Sequence, residues 1–302
     1  MSPWWSRAAG QLHAIGRLHA QVLGAAAFVP ALRSDGIAST LRLDALKAQL
    51  RTRVSPWWSR HTLWVDGYQA VSLGEDARPL ALSSLHQPCD LASALTALEA
   101  VATRPAKRGV HVARVLVGAP FVHYLALPWR PLPRPADWVA LARTQFIRDG
   151  MGAPDAWRFS VQDDGWGRMR LAAAVPEALC AGIGGICKAR GLSLSAIEPG
   201  FAHALGRHAA RIHDGRIAVV EVEQSTPDAV IAHIGFRRDG GWSGFVALPA
   251  TAPLPQVLRD ATVLCRQDEP EHTYVMAPLA LHMDAAHWPG AQWLPLPWCP
   301  HA

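Results

Sequence analysis

Three carboxylates stand in patterns that could support chemistry. Asp66 and Gly67 separate two runs of alternating apolar residues, which is a typical signature of a β-hairpin turn. Glu221 and Glu223 alternate with valines in a predicted β-strand, so their side chains point to one face of that strand. A carboxylate pair of this kind could hold a divalent cation. A solvated strand face is the simpler interpretation of the pair, and we expect it here.

Sequence patterns typical of catalytic nucleophiles and metal centres do not occur. The sequence contains no GxSxG and no HExxH segment. His203, His208 and His213 follow one another at steps of five, which does not place them on one face of a helix. The five cysteines include no CxxC pair, which argues against a zinc ribbon or a disulfide framework. We therefore expect no catalytic residue and no metal centre.

A local GxGG segment lies in the predicted helix Glu177–Arg190. It consists of Gly182, Gly184 and Gly185. Because these glycines lie inside a helical stretch and not between a strand and a helix, close helix packing explains them better than a phosphate loop does. The two cysteines of the same helix are expected to be buried as small apolar residues.

The composition is that of a folded protein without an obvious nucleic-acid surface. Half of the 302 residues are hydrophobic, so the chain can bury a sizeable core and most naturally forms two subdomains. Residues 1–60 carry eight Lys or Arg and two Asp or Glu, whereas residues 61–302 carry twenty-one and twenty-two. The folded body is therefore close to neutral, and we expect no nucleic-acid partner. No run of eighteen apolar residues occurs and the N-terminus lacks a signal-peptide pattern, so we expect a cytoplasmic protein.

The chain divides into an extension and two predicted lobes. Helical periodicity over Gln11–Phe28 and Asp44–Arg53 predicts that residues 1–60 form a basic helical N-terminal extension. In the first lobe, residues 61–215, an apolar strand leads through four prolines to a helix that starts near Ala136. We expect the prolines to direct Trp129 into the core beside that helix.

The predicted second lobe spans residues 216–302. Three apolar runs joined by short links predict consecutive antiparallel strands, and a helix and two further strands follow. The two lobes together predict an α+β (mixed α/β) fold. Trp288, Trp293 and Trp298 lie in a Pro-rich end of this lobe and could form an exposed surface that docks a partner.

Several segments together resemble a known family. They are Phe121–Trp129, the helix that contains Ala142, Arg143 and Phe146, the run Ala172–Val175, the segment Ser195–Pro199 and the strand Ile217–Glu221. Over roughly residues 60–300 the sequence resembles bacterial actin-like proteins of type IV filament machines. The family includes PilM-type pilus assembly proteins and the cytoplasmic domain of the L component of type II secretion. This resemblance implies a two-lobed actin-like ATPase fold.

The resemblance also implies where a nucleotide would lie. In such proteins two phosphate hairpins and a glycine-bearing adenosine loop hold the nucleotide between the lobes. Asp66 and Gly67 fall in the first hairpin but are followed by Tyr68, where a small residue is expected. The second hairpin position holds Glu221–Thr226 and the adenosine loop position holds Val275–Pro278, both without glycine. These departures imply a degenerate nucleotide site.

The function that follows is that of a non-catalytic cytoplasmic adaptor or scaffold in a type IV pilus or type II secretion-like assembly machine. We expect no cofactor, and a peripheral position at the inner membrane through a partner, the tail of an inner-membrane protein. The first alternative is an active actin-like ATPase or kinase that binds ATP with Mg²⁺ through Asp66, Gly67, Glu221 and Glu223. The second is a Trp/Pro-rich protein-binding scaffold of another fold.

Overall fold

A computed structural model gives the structure of the protein for residues 58–74, 78–106, 108–226, 229–277, 288, 290–296 and 298. The predicted helices Gln11–Phe28 and Asp44–Arg53 lie outside these residues. Apart from Trp58, the described residues belong to one compact unit, Ser59–Ala302. Among the described residues, no helix is both long and apolar enough to cross a membrane.

Thirteen strands and five α-helices are described. The strands are β1 (Trp58–Val65), β2 (Gln69–Leu73), β3 (Pro79–Ser84), β4 (Val110–Val117), β5 (His123–Leu127), β6 (Trp157–Val161), β7 (Arg170–Pro176), β8 (Ser193–Pro199), β9 (Ile217–Thr226), β10 (Ala229–Arg238), β11 (Gly241–Pro249), β12 (His272–Ala277) and β13 (Ala291–Pro295). The helices are α1 (Leu91–Val101), α2 (Pro135–Arg148), α3 (Glu177–Ala189), α4 (Gly200–His208) and α5 (Leu254–Leu264). Short 3-10 turns lie at Pro154–Ala156 and Ala209–Arg211.

The first sheet has five strands in the order β3-β2-β1-β4-β8. β1 and β2 form an antiparallel hairpin around Asp66 and Gly67, as the sequence predicts, and β4 runs parallel to β8. Helices α1 and α3 cover one face of this sheet. Asp90 caps α1 by accepting a hydrogen bond from the backbone N–H of Ser93 at 2.7 Å, and Gly191 beyond α3 adopts a φ of 72°.

Helices α1 and α3 contact each other through the GxGG segment of α3. A Cβ atom added at Gly182 would lie 2.6 Å from the side chain of Leu95 in α1, so close helix packing is confirmed at this position. Gly184 and Gly185 face open space. Cys180 and Cys187 are buried among apolar residues, as predicted.

The second sheet has five strands in the order β11-β10-β9-β12-β13. β9, β10 and β11 are consecutive antiparallel strands, which confirms the prediction, and β12 lies parallel to both β9 and β13. The side chains of β9 alternate between two environments. Ala218, Val220 and Val222 pack on α5, whereas Val219 points to a second core between the two large sheets.

A third sheet, β5-β7-β6, is antiparallel throughout and packs against α2. Trp138 of α2 is 2% exposed, donates its indole N–H to the Leu132 carbonyl at 2.9 Å, and lies under the guanidinium of Arg170 at 4.3 Å. Trp129 is only half-buried and meets the exposed Trp166 edge to face. Trp129 packs against the cluster that contains Trp138 and Phe146, as predicted, but part of its ring stays exposed, so the prediction that it is fully buried is wrong.

The core between the two large sheets gathers residues that are distant in the sequence. It includes side chains from β1, β4, α4, β9, β12, β13 and the segment that follows β13, among them Trp64, Leu116, Phe201, Val219, Met276, Leu294 and Trp298. Because the predicted phosphate hairpins belong to β1–β2 and to β9, this core lies beside the place where the resemblance puts a nucleotide.

Candidate functional site

The first predicted site residue, Asp66, uses its carboxylate to build its own turn. Oδ1 accepts hydrogen bonds from the backbone N–H groups of Tyr68 and Gln69 at 2.7 and 2.8 Å, and Oδ2 accepts one from the indole N–H of Trp64 at 2.9 Å. Burial raises the pKa of Asp66, and these three hydrogen bonds oppose the shift. Both carboxylate oxygens therefore serve the hairpin.

Gly67 and the turn around it are fixed to neighbouring loops. The Gly67 N–H donates to the carbonyl of Ala119 at 2.9 Å, and the Gly67 carbonyl accepts from the N–H of Cys89 at 2.8 Å. Both peptide groups of the turn thus have protein partners. In a phosphate hairpin, backbone N–H groups of this kind would point at the ligand.

The second predicted pair, Glu221 and Glu223, lies inside the protein. The side chains share one face of β9, as the alternation predicts, but Glu221 is 0% exposed and Glu223 is 6% exposed. The expectation of a solvated strand face is wrong. The loop after β4 and the first sheet cover this face, and the local pattern of β9 carries no sign of that distant contact.

His233 lies beside the two buried glutamates. His233 of β10 lies directly opposite Glu221 in the antiparallel register, so both side chains leave the sheet on the same face. Its Nδ1 lies 3.5 Å from Oε2 of Glu221, and the residue is 3% exposed. Glu221, Glu223 and His233 each offer a ligand atom, and these three atoms lie within 4.8 Å of one another.

A hydrogen bond joins this group to the first sheet. Oε2 of Glu223 accepts from the backbone N–H of Ala119 at 2.6 Å. Gly118, the preceding residue, approaches so closely that an added Cβ would lie 2.4 Å from the Trp64 ring and 3.1 Å from Oε1 of Glu223. Glycine is required at residue 118 because backbone, indole and carboxylate meet there without space for a side chain.

Burial changes the proton affinity of all three side chains. It raises the pKa of Glu221 to about 8. Burial also raises the pKa of Glu223 to about 8; the neighbouring Glu221 adds to the shift, while His233 and the Ala119 N–H oppose it. Burial lowers the pKa of His233, and Glu223 opposes this change. Near neutral pH and without a cation, protons therefore neutralise much of the charge on the two carboxyl groups.

Two tryptophans fill the space beside the carboxylates. Trp298 is 4% exposed and stacks on Trp64, with 4.0 Å between ring centroids and 8° between ring planes. A Cβ added at Gly200, the first residue of α4, would lie 2.7 Å from the Trp64 ring and 3.1 Å from the Trp298 ring. Backbone and two indoles thus pack at van der Waals distance.

The three predicted docking tryptophans have different environments. Trp298 lies in the interior and not on the exposed surface that the sequence analysis expects. Trp288 and Trp293 are half-buried and pack against the core under α5. At the position expected for an adenosine loop, Val275, Met276 and Ala277 are buried residues of β12. Pro278 lies outside the described residues.

Sequence reasoning missed the residues that complete the group. His233 carries no motif, and its position opposite Glu221 depends on a register shift between Ala229 and Val230 that the local pattern does not reveal. Ala119 contributes only its backbone N–H, and side-chain patterns do not reveal such a role. Trp64 carries no sequence signal of its role, because its stacking partner Trp298 lies far away in the sequence.

No protein-family model matches the sequence, and no curated protein matches it. Among solved structures, a chain of a PilM–PilN type IV pilus biogenesis complex aligns with a TM-score of 0.51 and 14% identity, over 80% of this chain and 90% of that chain.

Two further structures align with lower TM-scores. The cytoplasmic domain of EpsL, an inner membrane component of the type II secretion system of Vibrio cholerae, aligns with a TM-score of 0.45 and 12% identity, over 72% of this chain and 81% of that chain. A protein with an actin-like ATPase fold from Bacteroides thetaiotaomicron aligns with a TM-score of 0.48 and 7% identity, over 80% and 92%.

The shared fold excludes one alternative, a Trp/Pro-rich protein-binding scaffold of another fold. The mixed α/β architecture matches what the resemblance implies. This chain has the two-lobed actin-like fold and is similar to PilM-type pilus assembly proteins and to the cytoplasmic domain of EpsL.

Proposed function

We propose that the protein is a non-catalytic actin-like adaptor in a type IV pilus or type II secretion-like assembly machine. It acts in the cytoplasm at the inner face of the inner membrane and binds the tail of an inner-membrane protein there. The structural neighbour in the PilM–PilN complex supports this context through its shared fold. A PilN-like protein is the partner class that this likeness favours.

The observation that carries the non-catalytic assignment is the filled space between the two large sheets. Trp298 stacks on Trp64 there, and Glu223 accepts a hydrogen bond from the Ala119 N–H. This packing lies beside the hairpins at which the resemblance puts nucleotide phosphates, and it supports an adaptor that works without nucleotide. Two buried carboxylates would also repel a triphosphate wherever they carried charge.

The alternative of an active ATPase or kinase requires free carboxylate oxygens for Mg²⁺. Asp66 directs both oxygens to N–H groups of its own hairpin. Glu221 and Glu223 keep three oxygens without a hydrogen-bond partner among the described residues, but both side chains are buried away from solvent. A bound Mg²⁺ needs oxygen ligands and retains several waters, so it would require the turn to open. We therefore keep the adaptor as the single proposed function.

A direct test measures nucleotide and partner binding with the full chain. Millimolar ATP with Mg²⁺ should leave the melting temperature unchanged, whereas a ligand at a hundred times its Kd would stabilise the fold by about 2.7 kcal/mol. A clear increase that Asp66→Asn abolishes would instead support the ATPase.

The partner arm uses a fluorescent peptide with the sequence of the cytoplasmic tail of the PilN-like protein encoded nearest to this gene. We expect saturable anisotropy binding, and a scrambled peptide as control should not bind. Trp293→Ala tests the C-terminal surface as the docking site and should weaken binding if that surface contacts the tail. Lack of saturation with the native tail would contradict the proposed partner class.

A further inference from the structure

Most of the carboxylate oxygens of Glu221 and Glu223, and Nδ1 of His233, have no hydrogen-bond partner in the described part of the chain. The two carboxylates have four oxygens, and in the described residues only Oε2 of Glu223 has a hydrogen-bond partner, the Ala119 N–H at 2.6 Å. Both oxygens of Glu221 and Oε1 of Glu223 have none within the described part of the chain. An uncompensated buried carboxylate is strongly unfavourable, so an adjacent pair requires a counter-charge or protons.

A separate observation points to a ligand at the same place. His233 is 3% exposed, and its Nδ1 also has no hydrogen-bond partner among the described residues. This nitrogen is directed at the carboxylates, since it lies 3.5 Å from Oε2 of Glu221. The ring of Tyr124 meets the histidine edge to face at 5.1 Å and supports it from the side. A buried imidazole nitrogen that lacks a hydrogen-bond partner and is aimed at two buried carboxylates matches the donor set of a metal centre.

We propose that Glu221, Glu223 and His233 form a buried binding site for one divalent transition-metal ion, with Zn²⁺ as the best fit. An ion of charge +2 balances the charge of two ionised carboxylates. It also gives a ligand contact to carboxylate oxygens and to His233 Nδ1, which have no hydrogen-bond partner among the described residues. Ligand distances of about 2.0–2.2 Å place donor atoms of a tetrahedral Zn²⁺ roughly 3.4 Å apart. The Glu221–His233 distance of 3.5 Å already has this value.

The geometry needs only a small adjustment of side chains. All three donor atoms lie within 4.8 Å of one another, so rotation of the glutamates closes the remaining separation. The register of β9 and β10 holds the backbone of all three residues, which makes the site rigid at its base. One nitrogen and two carboxylates favour Zn²⁺, Mn²⁺ or Fe²⁺, whereas Mg²⁺ and Ca²⁺ prefer more ligands and only oxygen.

The role that follows for the ion is structural. Because Glu223 also accepts the Ala119 N–H, the ion would hold the second sheet to the loop that leaves β4. The side chains are shielded from solvent, so a reaction with an external substrate does not follow from this arrangement. The metal site is independent of the proposed adaptor role, and either can fail without the other.

The test uses full-length protein expressed without a polyhistidine tag, stripped with a chelator and then exposed to Zn²⁺, Mn²⁺ or Mg²⁺. We expect about one Zn²⁺ per chain to remain after gel filtration, measured by mass spectrometry of the metal, together with a higher melting temperature. Mg²⁺ should not be retained. Retention of no metal by folded wild-type protein would overturn the proposal.

Matched variants separate this site from surface histidines. Glu221→Gln, Glu223→Gln and His233→Gln should each lose the bound Zn²⁺. His203→Gln removes the histidine of another Glu–His pair, whose Nδ1 lies 3.1 Å from Glu198, and should retain the metal. Equal retention by folded variants of the proposed site would contradict the assignment.

Co²⁺ keeps the proposal testable if the variants do not fold. It substitutes for Zn²⁺, and a tetrahedral site of mixed nitrogen and oxygen ligands gives intense visible absorption. Wild-type protein loaded with Co²⁺ should show these bands, and addition of Zn²⁺ should remove them. The weak spectrum of octahedral Co²⁺ would argue against the buried site.

Discussion

The indole rings of Trp64 and Trp298 stack almost in parallel, with their centroids 4.0 Å apart. Trp64 belongs to the first strand of the described structure and Trp298 follows the last one, so this stack joins the two ends of the folded unit. Gly200 leaves both rings room to pack. The stack is therefore a structural element, and it changes what we expect from mutation of the C-terminal segment.

Trp298→Ala should destabilise the protein strongly. Truncation of a buried tryptophan typically costs about 3–5 kcal/mol, because the lost contacts leave a cavity. Urea unfolding at equilibrium measures the change. Trp166→Ala is the control, since Trp166 is 76% exposed and its loss should change stability by less than about 0.5 kcal/mol. Similar unfolding midpoints for both variants would show that Trp298 does not pack as described.

Trp138→Ala should destabilise the protein more than Trp129→Ala does. Trp138 is 2% exposed and donates a hydrogen bond to the Leu132 carbonyl, whereas Trp129 is half-buried. We expect a loss of about 3–5 kcal/mol for Trp138→Ala and a clearly smaller loss for Trp129→Ala. Thermal melts of the two variants side by side provide the measurement. The reverse order would show that Trp129 contributes more to the core than Trp138 does.

Gly118→Ala should destabilise the protein although it adds only one methyl group. The new Cβ would lie 2.4 Å from the Trp64 ring, and that ring cannot retreat because Trp298 stacks on it. Overpacking of this kind typically costs about 1–3 kcal/mol. Gly184→Ala is the matched control. Nothing lies within 4 Å of its Cβ position inside a helix, so this variant should gain up to about 1 kcal/mol. A neutral Gly118→Ala would disprove the close approach of loop and indole.

The metal-free protein should lose stability as the pH rises from about 5 towards 8. Burial raises the pKa of Glu221 and Glu223 from 4.5 to about 8, so the folded state binds more protons than the unfolded state in this interval. The contribution of these two groups to the free energy of unfolding is then fully present below pH 4.5, and it is lost as the carboxyl groups ionise in the folded state. Urea unfolding in chelator at several pH values measures the slope. The double variant Glu221→Gln, Glu223→Gln should flatten it, and a wild-type slope that the variant shares would assign the effect to other groups.

The order of strands and helices could be predicted from local patterns. Asp66 and Gly67 mark a hairpin turn, the valines of β9 show alternation, and a helix follows each predicted proline start. The strand β3 is an exception. Its leucines, Leu80 and Leu82, are 72% and 58% exposed. The positions of the apolar residues therefore do not predict which face of β3 packs on the core. Such an edge strand is stabilised by pairing with β2, which a local pattern does not contain.

The candidate site could be predicted only in part. Alternation along β9 placed Glu221 and Glu223 on the same face, yet the burial of that face depends on the loop around Ala119, which lies far away in the sequence. The position of Trp298 depends in the same way on a long-range contact. A tryptophan in a Pro-rich segment can cover the protein's own core or contact another protein. Which of the two occurs depends on whether the rest of the fold offers an apolar surface at that place.

The C-terminal segment closes the core between the two large sheets, and this has a consequence for synthesis of the chain. β1 with Trp64 leaves the ribosome early, whereas residues 291–298 follow after all the other described elements. Until then the apolar face around Trp64 lacks the cover of Leu294, Leu296 and Trp298. The nascent protein therefore carries an uncovered apolar surface around Trp64 until the end of its synthesis, and a chain stalled before residue 291 exposes surface that favours aggregation.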